Sequence, residues 1–395
     1  METRIQQLLA KMSGLGTCRK TFLTHVLVLF ISLRGRMNFV NMARYGCYEE
    51  KTYRRHFEQS CEWVALNTHL IHTSGSGRYV VAADGSFYPK SSKHTPHLGN
   101  FWNGCVGKVM RGLEGHTLAV IDLDQCTAFH LHTQQTPGEV SETEKRTQHY
   151  VQHISDHNIV LRQFSKYLVY DGAAGNQPFV DQLRETTDLE LVSKLRCDAD
   201  LRYLYTGPRR SGPGAPRKYA GKMNCQAPDF SRFDLCSKEG DILVYTAVVN
   251  SRALNRNVRI AYVLNTVRER YVILFSTDVR LSGQLIYEYY TARFQIELLF
   301  RDAKQFTGLT HCQARSEQKI AFHINASLTS VSLARADFYA HRNNHDKPFS
   351  MSDYQTVYFN KLLLDRFITK LDLDPTAENV VSAYNELSGL GKIAA

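Results

Sequence analysis

Apolar and polar positions change period several times along the chain, and each change marks a change of element. The first 75 residues follow a helical period. The most apolar run, residues 21–33 (TFLTHVLVLFISL), is 13 residues long and carries His25 inside it. It predicts a buried helix, because it is too short to span a bilayer. Residues 33–59 break into two short amphipathic segments around Gly46, with Phe39, Met42 and Ala43 at helical spacing. The second segment sets Lys51, Arg54 and Arg55 beside Tyr53 and Phe57, the pattern of a helix-turn-helix with a basic second helix. From Gly77 the texture becomes that of strands. Residues 79–83 (YVVAA) form a short buried strand running into Asp84, and 118–132 read as a two-stranded hairpin. Residues 142–157 are helical and polar. Residues 167–170 (YLVY) are a second buried strand ending at Asp171-Gly172, followed by a helix over 179–183 and a strand over 189–192.

Strands, a helix, then alternating strand and helix is the order of an RNase H-like α/β domain with a mixed sheet. Residues 206–222 (TGPRRSGPGAPRKYAGK) interrupt it with a Pro/Gly-rich loop that carries Arg209, Arg210, Arg217, Lys218 and Lys222 and no acid. Residues 241–278 return to strand texture and predict an inserted antiparallel β domain. Helices dominate from Gly283 onward. The expected organisation is an N-terminal helical region with a DNA-binding pattern over 1–75, an RNase H-like core over 76–205 and 283–345, a β-rich insertion over 206–282, and a C-terminal helical region over 346–395. The last region holds Leu362, Leu363, Phe367, Ile368 and Leu371 at helical spacing, an apolar set suited to contact with a second protomer or with its own core.

Composition narrows the function. A chain of 395 residues exceeds one small core. Lys and Arg number 48 against 38 Asp and Glu, a formal charge of +10, which favours a polyanion partner, nucleic acid first. The nine cysteines include no C-x-x-C pair, so neither a zinc site nor a disulfide framework is indicated. With no signal-peptide pattern and no spanning helix, the expectation is a cytoplasmic protein without membrane attachment.

The strongest chemical signal is residues 290–304 (YTARFQIELLFRDAK). On one helix at 100° per residue, Tyr290, Arg293, Glu297 and Lys304 share a face. Ile296, Leu299, Ala303 and Phe306 fall opposite, as a core stripe should. The plainer reading of the polar face is a solvated one, with Glu297 bridged to Arg293 and Arg301.

The spacing Y-(2)-R-(3)-E-(6)-K resembles the YREK signature of DDE transposases of the fourth insertion-sequence family. Asp84, followed by GSFYPKSSKHTPHLGNFWNGC, is similar to the family's stretch after its first Asp. Asp171 in LVYDGAAGNQPF is similar to its second, and KLRCDADL over 194–201 to the run after the next strand. The likeness covers residues 30–330, with gaps of 87 and 126 residues between the three acids. It implies a cut-and-paste transposase of bacterial, nucleoid-associated setting, acting on terminal inverted repeats and target DNA. Asp84, Asp171 and Glu297 are implied as catalytic residues and ligands of two Mg²⁺ ions, with Mn²⁺ able to substitute. Tyr290, Arg293 and Lys304 are implied as DNA contacts, and a homodimer as the form that joins two ends. Relatives that cut through a DNA hairpin stack a flipped base on a Trp in the inserted sheet. Here the only tryptophans are Trp63 and Trp102, both outside it. Tyr245, Tyr262 or Tyr271 would stack instead, and Trp102 reads as a packing residue. The alternatives are a stand-alone nuclease of the same fold and a non-catalytic DNA-binding repressor of transposition.

Overall fold

A computed structural model describes residues 1–92, 94–139, 143–208, 215–340 and 348–393. The helical period of the N-terminus becomes α1 (Glu2–Ala10), α2 (Thr17–Ser32), α3 (Phe39–Tyr45), α4 (Glu50–Phe57) and α5 (Trp63–Ser74). Next come β1 (Tyr79–Pro89), β2 (Gly99–Asn103), β3 (Lys108–Asp122), β4 (Thr127–Gln135), α6 (Thr143–Asp156), α7 (Asn158–Phe164), β5 (Tyr167–Val169), α8 (Gln177–Thr186) and β6 (Glu190–Leu195). Six strands follow: β7 (Leu201–Leu204), β8 (Tyr219–Lys222), β9 (Asp234–Glu239), β10 (Ile242–Ser251), β11 (Arg256–Asn265) and β12 (Arg270–Ser276). The chain ends in α9 (Gly283–Ala292), α10 (Phe294–Gln305), α11 (Glu317–Tyr339), α12 (Met351–Lys370) and α13 (Glu378–Ser388). The fold is mixed α/β with helices at both ends. No helix among the described residues is long and apolar enough to cross a membrane.

Contacts divide the chain into two units. The first comprises Met1–Gly77, Gly85–Ser141 and Glu297–Ala395. Its core includes α2, whose Phe22, Leu23, Val26, Leu27 and Phe30 are buried as the apolar run predicts. Helix α11 is buried nearly throughout from Ile320 to Ala336, although many of those positions are polar. The reason lies in β4, which pairs antiparallel with β3. Its other edge would leave backbone groups buried without partners. Side chains of α11 meet them: Ser332 Oγ accepts from His130 N (2.8 Å), and the Asn325 amide accepts from Thr133 N (2.9 Å) and donates to Thr133 O (3.0 Å). Asn67 of α5 donates to Leu131 O at 3.0 Å. The helix thus stands in for a strand.

Between α3 and α4 the chain turns at Gly46, where there is no room for a side chain. A Cβ there would lie 2.6 Å from Met42 O, 2.8 Å from His25 Nε2 and against the Tyr53 hydroxyl. His25 and Tyr53 already share a 2.6 Å hydrogen bond there. Gly46→Ala is expected to lower stability by about 2 kcal/mol or more. Urea unfolding checks this, and an unchanged midpoint would show that the turn yields freely.

The second unit comprises Arg78–Asp84 and Glu142–Ile296. β1, β5 and β6 run parallel. β12 joins β6 antiparallel, followed by β11 and β10. β7 and β9 both pair with β10, and β8 with β7. The strand-rich stretch after residue 241 therefore continues the sheet of β5 and β6 through the β6–β12 ladder. Helix α9 packs on β6 and on β9–β12. It starts at Gly283, where a Cβ would press to 2.6 Å from Thr246 Cβ and 2.9 Å from Cys236 Sγ.

The link from β12 to α9 is tied to the start of β5 by Asp278. Burial pushes this carboxyl up, but Lys166 Nζ at 2.8 Å, the Arg280 N–H and the Tyr167 hydroxyl outweigh it and hold it down at about 2. A depressed carboxyl stabilises fully above its ordinary value near 3.8 and loses that contribution as pH falls toward 2. Wild type should exceed Asp278→Asn by about 1–2 kcal/mol at neutral pH, solvent around Lys166 having reduced the gain. The gap should shrink as pH drops below about 4. Denaturant titrations at stepped pH would show it, and a pH-independent gap would place the effect elsewhere.

Candidate active site

Both aspartates singled out in the sequence belong to the second unit. Strand β1 does not end at Asp84, as its apolar run suggests, but continues to Pro89. Its first half pairs in parallel with β5, Val81 facing Leu168 and Ala82 facing Val169. Each strand leads, two residues past its last pair, into an acid: Asp84 after Ala82 and Asp171 after Val169. Both acids therefore fall just past the end of the β1–β5 pairing, where the short strand β5 gives out.

Asp171 is held by its own turn. Its Oδ1 accepts from Ala173 N at 3.0 Å, and Ser193 Oγ of β6 donates to its carbonyl at 2.6 Å. Asn176 closes the turn, donating to Ala173 O at 2.6 Å and capping α8 by accepting from Phe179 N at 3.0 Å. Ser193 and Asn176 are positioning residues that the sequence reading missed. Asn176 had a signal in the N-Q-P-F start of α8, a cap with Pro inside the first turn. Ser193 had none, since an inward Ser in a strand is ordinary.

Arg293 stands beside Asp84, Nη1 to Oδ2 3.8 Å, with both side chains largely buried. Its guanidinium also lies over the Tyr290 ring, 5.7 Å from the centroid. The single helix expected over 290–304 is two. Helix α9 stops at Ala292 and α10 starts at Phe294. At the junction the Arg293 N–H is shared between Tyr289 O and Tyr290 O, and Ile296 N reaches Arg293 O, a tightened 3₁₀-like turn. This junction carries Arg293, whose Nη1 lies 3.8 Å from Asp84 Oδ2.

Glu297 and Lys304 fall in the first unit, the division passing within α10. Glu297 is in the first turn of α10 and Lys304 in its last, both half-buried. The expected apolar stripe is present: Ile296, Leu299 and Ala303 are fully buried, and Phe306 is half-buried. Arg301 pairs with Asp302 at 3.0 Å, so the bridge to Glu297 in the plainer reading gives way to a bond with its neighbour.

Other candidates scatter. Lys51, Arg54 and Arg55 are exposed on α4, with Arg54 Nε donating to Glu50 at 2.7 Å. Arg209 and Arg210 lie outside the described residues. Trp102 is not a packing residue: it is 57% exposed on β2, because the β2–β3 hairpin has an outer face with nothing packed on it among the described residues. Tyr262 is core rather than a stacking surface, 1% exposed, with its hydroxyl bonded to Cys225 O and Tyr271 stacked upon it. On α12, Leu363, Phe367 and Leu371 are exposed, whereas Leu362 and Ile368 are half-buried.

Carboxylates with a guanidinium alongside suit hard divalent cations and phosphate, the groups handled in phosphoryl transfer. Agreement comes from comparison with known families: the model for the transposase DDE domain matches residues 75–333, well over half of the chain. The chain belongs to that family. No curated protein gives a significant match. Membership implies transposase function, an enzyme of the transposase or nuclease type and DNA binding, and DDE transposases typically use divalent metals.

Proposed function

We propose that the protein is a cut-and-paste DNA transposase that binds terminal inverted repeats, cleaves at the transposon ends and transfers them into target DNA. The observation that supports the reading is the parallel β1–β5 pairing, which leads toward Asp84 on one strand and Asp171 on the other, with Arg293 3.8 Å from Asp84. Glu297 is the third acid, on the spacing shared with the YREK signature. The donor set is all carboxylate oxygen, half-buried at Asp84 and Asp171, and it fits Mg²⁺, with Mn²⁺ as a substitute. Two such ions held by Asp84, Asp171 and Glu297 would stabilise charge on the attacking and leaving oxygens. The chain's own part is binding and orientation. Arg293 offers a fork to a phosphate, Tyr290 backs it, and Lys304 adds a point charge. The core is of RNase H-like type, with the strands after residue 206 as its insertion.

The exposed cations Lys51, Arg54 and Arg55 on α4 support end-DNA binding by the N-terminal helices. Two ends need two sites, so the working form is a homodimer, for which the exposed Leu363, Phe367 and Leu371 offer an apolar face. The test is incubation with a plasmid carrying the element's own ends, in Mg²⁺ and without divalent metal. Double-strand breaks at the ends in Mg²⁺ alone are expected. Binding without cleavage in either Mg²⁺ or Mn²⁺ would favour a repressor.

A further inference from the structure

A cavity of about 470 Å³ lies within the first unit, lined by Arg54 of α4, by Gln313, Ala314, Arg315 and Ser316, and by Lys319 of α11. Among the described residues no acid lines it, and those nearby pair with its wall cations or with a histidine, which leaves Arg315 as its available cation. Glu50 pairs with Arg54, Glu58 with Lys319, and Glu317 with His97 at 3.1 Å. Glu58 also accepts from the Ser316 hydroxyl at 2.8 Å. Arg315 is exposed and has no ion-pair partner among the described residues. Beneath it, Lys90 Nζ donates to Cys312 O and Ala314 O at 2.7 and 2.8 Å, which fixes the segment that carries Arg315. Burial chiefly, with a smaller push from the Arg315 guanidinium, holds the Lys90 ammonium below its ordinary range. Ser316 caps the N-terminus of the long helix α11, whose dipole adds further positive potential.

We propose that this cavity seats a backbone phosphate of bound DNA, with Arg315 as its principal donor and Arg54 and Lys319 at its walls. The proposal rests on the DNA-binding reading above and extends it to residues outside both α4 and the carboxylate site. A duplex backbone is the occupant because the positive surface does not stop at the cavity. Lys51 and Arg55 continue it along exposed α4, as a track of successive phosphates requires and a single free anion does not.

The experiment measures affinity of the full chain for a short labelled duplex of random sequence across a salt series. Losing one phosphate contact should flatten the log–log slope by about 0.9 and weaken binding several-fold at moderate salt. Arg315→Ala is expected to do both and Arg315→Lys to restore the slope. Lys319→Gln serves as a second variant, and Arg162→Ala, an exposed arginine on α7, should keep the wild-type slope. Binding of inorganic phosphate, followed by calorimetry, separates the sources. If Arg315→Ala weakens phosphate binding but leaves the duplex slope unchanged, the cavity is a free-anion site and the proposal falls. A wild-type slope in Arg315→Ala and Lys319→Gln alike overturns it while leaving DNA binding intact. A wild-type protein with no salt-dependent duplex binding would sink both.

Discussion

Asp84→Asn, Asp171→Asn and Glu297→Gln are each expected to cut end cleavage by a thousandfold or more, on the order of 4 kcal/mol of barrier, while DNA binding survives. Each change keeps the shape of the side chain and removes the charge that holds a hard cation. Binding should hold or tighten, since a carboxylate near phosphate repels it. That direction separates loss of chemistry from loss of fold, because a misfolded variant would lose both. Asp84→Asn also removes the acid 3.8 Å from Arg293, leaving that guanidinium more available to phosphate. Cleavage by any one variant at the wild-type rate in Mg²⁺ would strike that residue from the site.

The largest stability effect should come from Arg335. It lies on α11 and bonds Asp302 of α10 at 2.8 Å, both side chains only 5% exposed. Its other nitrogen donates to Thr127 Oγ1 at 3.0 Å and Ala128 O at 3.3 Å, so one side chain ties α10, α11 and the edge of β4. Arg335→Leu leaves a buried carboxylate with Arg301, itself mostly exposed, as its remaining ion pair among the described residues. Breaking a buried pair from one side costs about 3–5 kcal/mol. The lower end is expected here because Arg301 remains. The double variant Arg335→Leu with Asp302→Leu should recover most of the loss, since no charge is then stranded. Urea unfolding of wild type, Arg335→Leu, Asp302→Leu and the double variant gives the answer. A single variant within about 0.5 kcal/mol of wild type would show that water or Arg301 already satisfies Asp302.

What the sequence by itself determined was the apolar runs and helix faces that must be buried and the strands that lead to the two aspartates. The apolar run over 21–33 became a buried helix because nothing else can shelter it. The stripe of Ile296, Leu299 and Ala303 faced the core because a 3.6-residue period allows one apolar face. Asp84 and Asp171 stood out because each follows a run of buried strand residues. Periodicity carries no information on which distant strand is the neighbour, so only the tertiary structure set Val81 against Leu168 and paired the two strands that lead to the acids. It also decided features that contradict local pattern. The polar residues of α11 are buried because the edge of β4 needs partners, a demand invisible from within the helix. Trp102 is exposed and Tyr262 buried because exposure of a strand residue depends on what covers the sheet. The tightened turn at Arg293 parts the predicted helix in two, and its guanidinium comes within 3.8 Å of Asp84, 209 residues earlier in the chain.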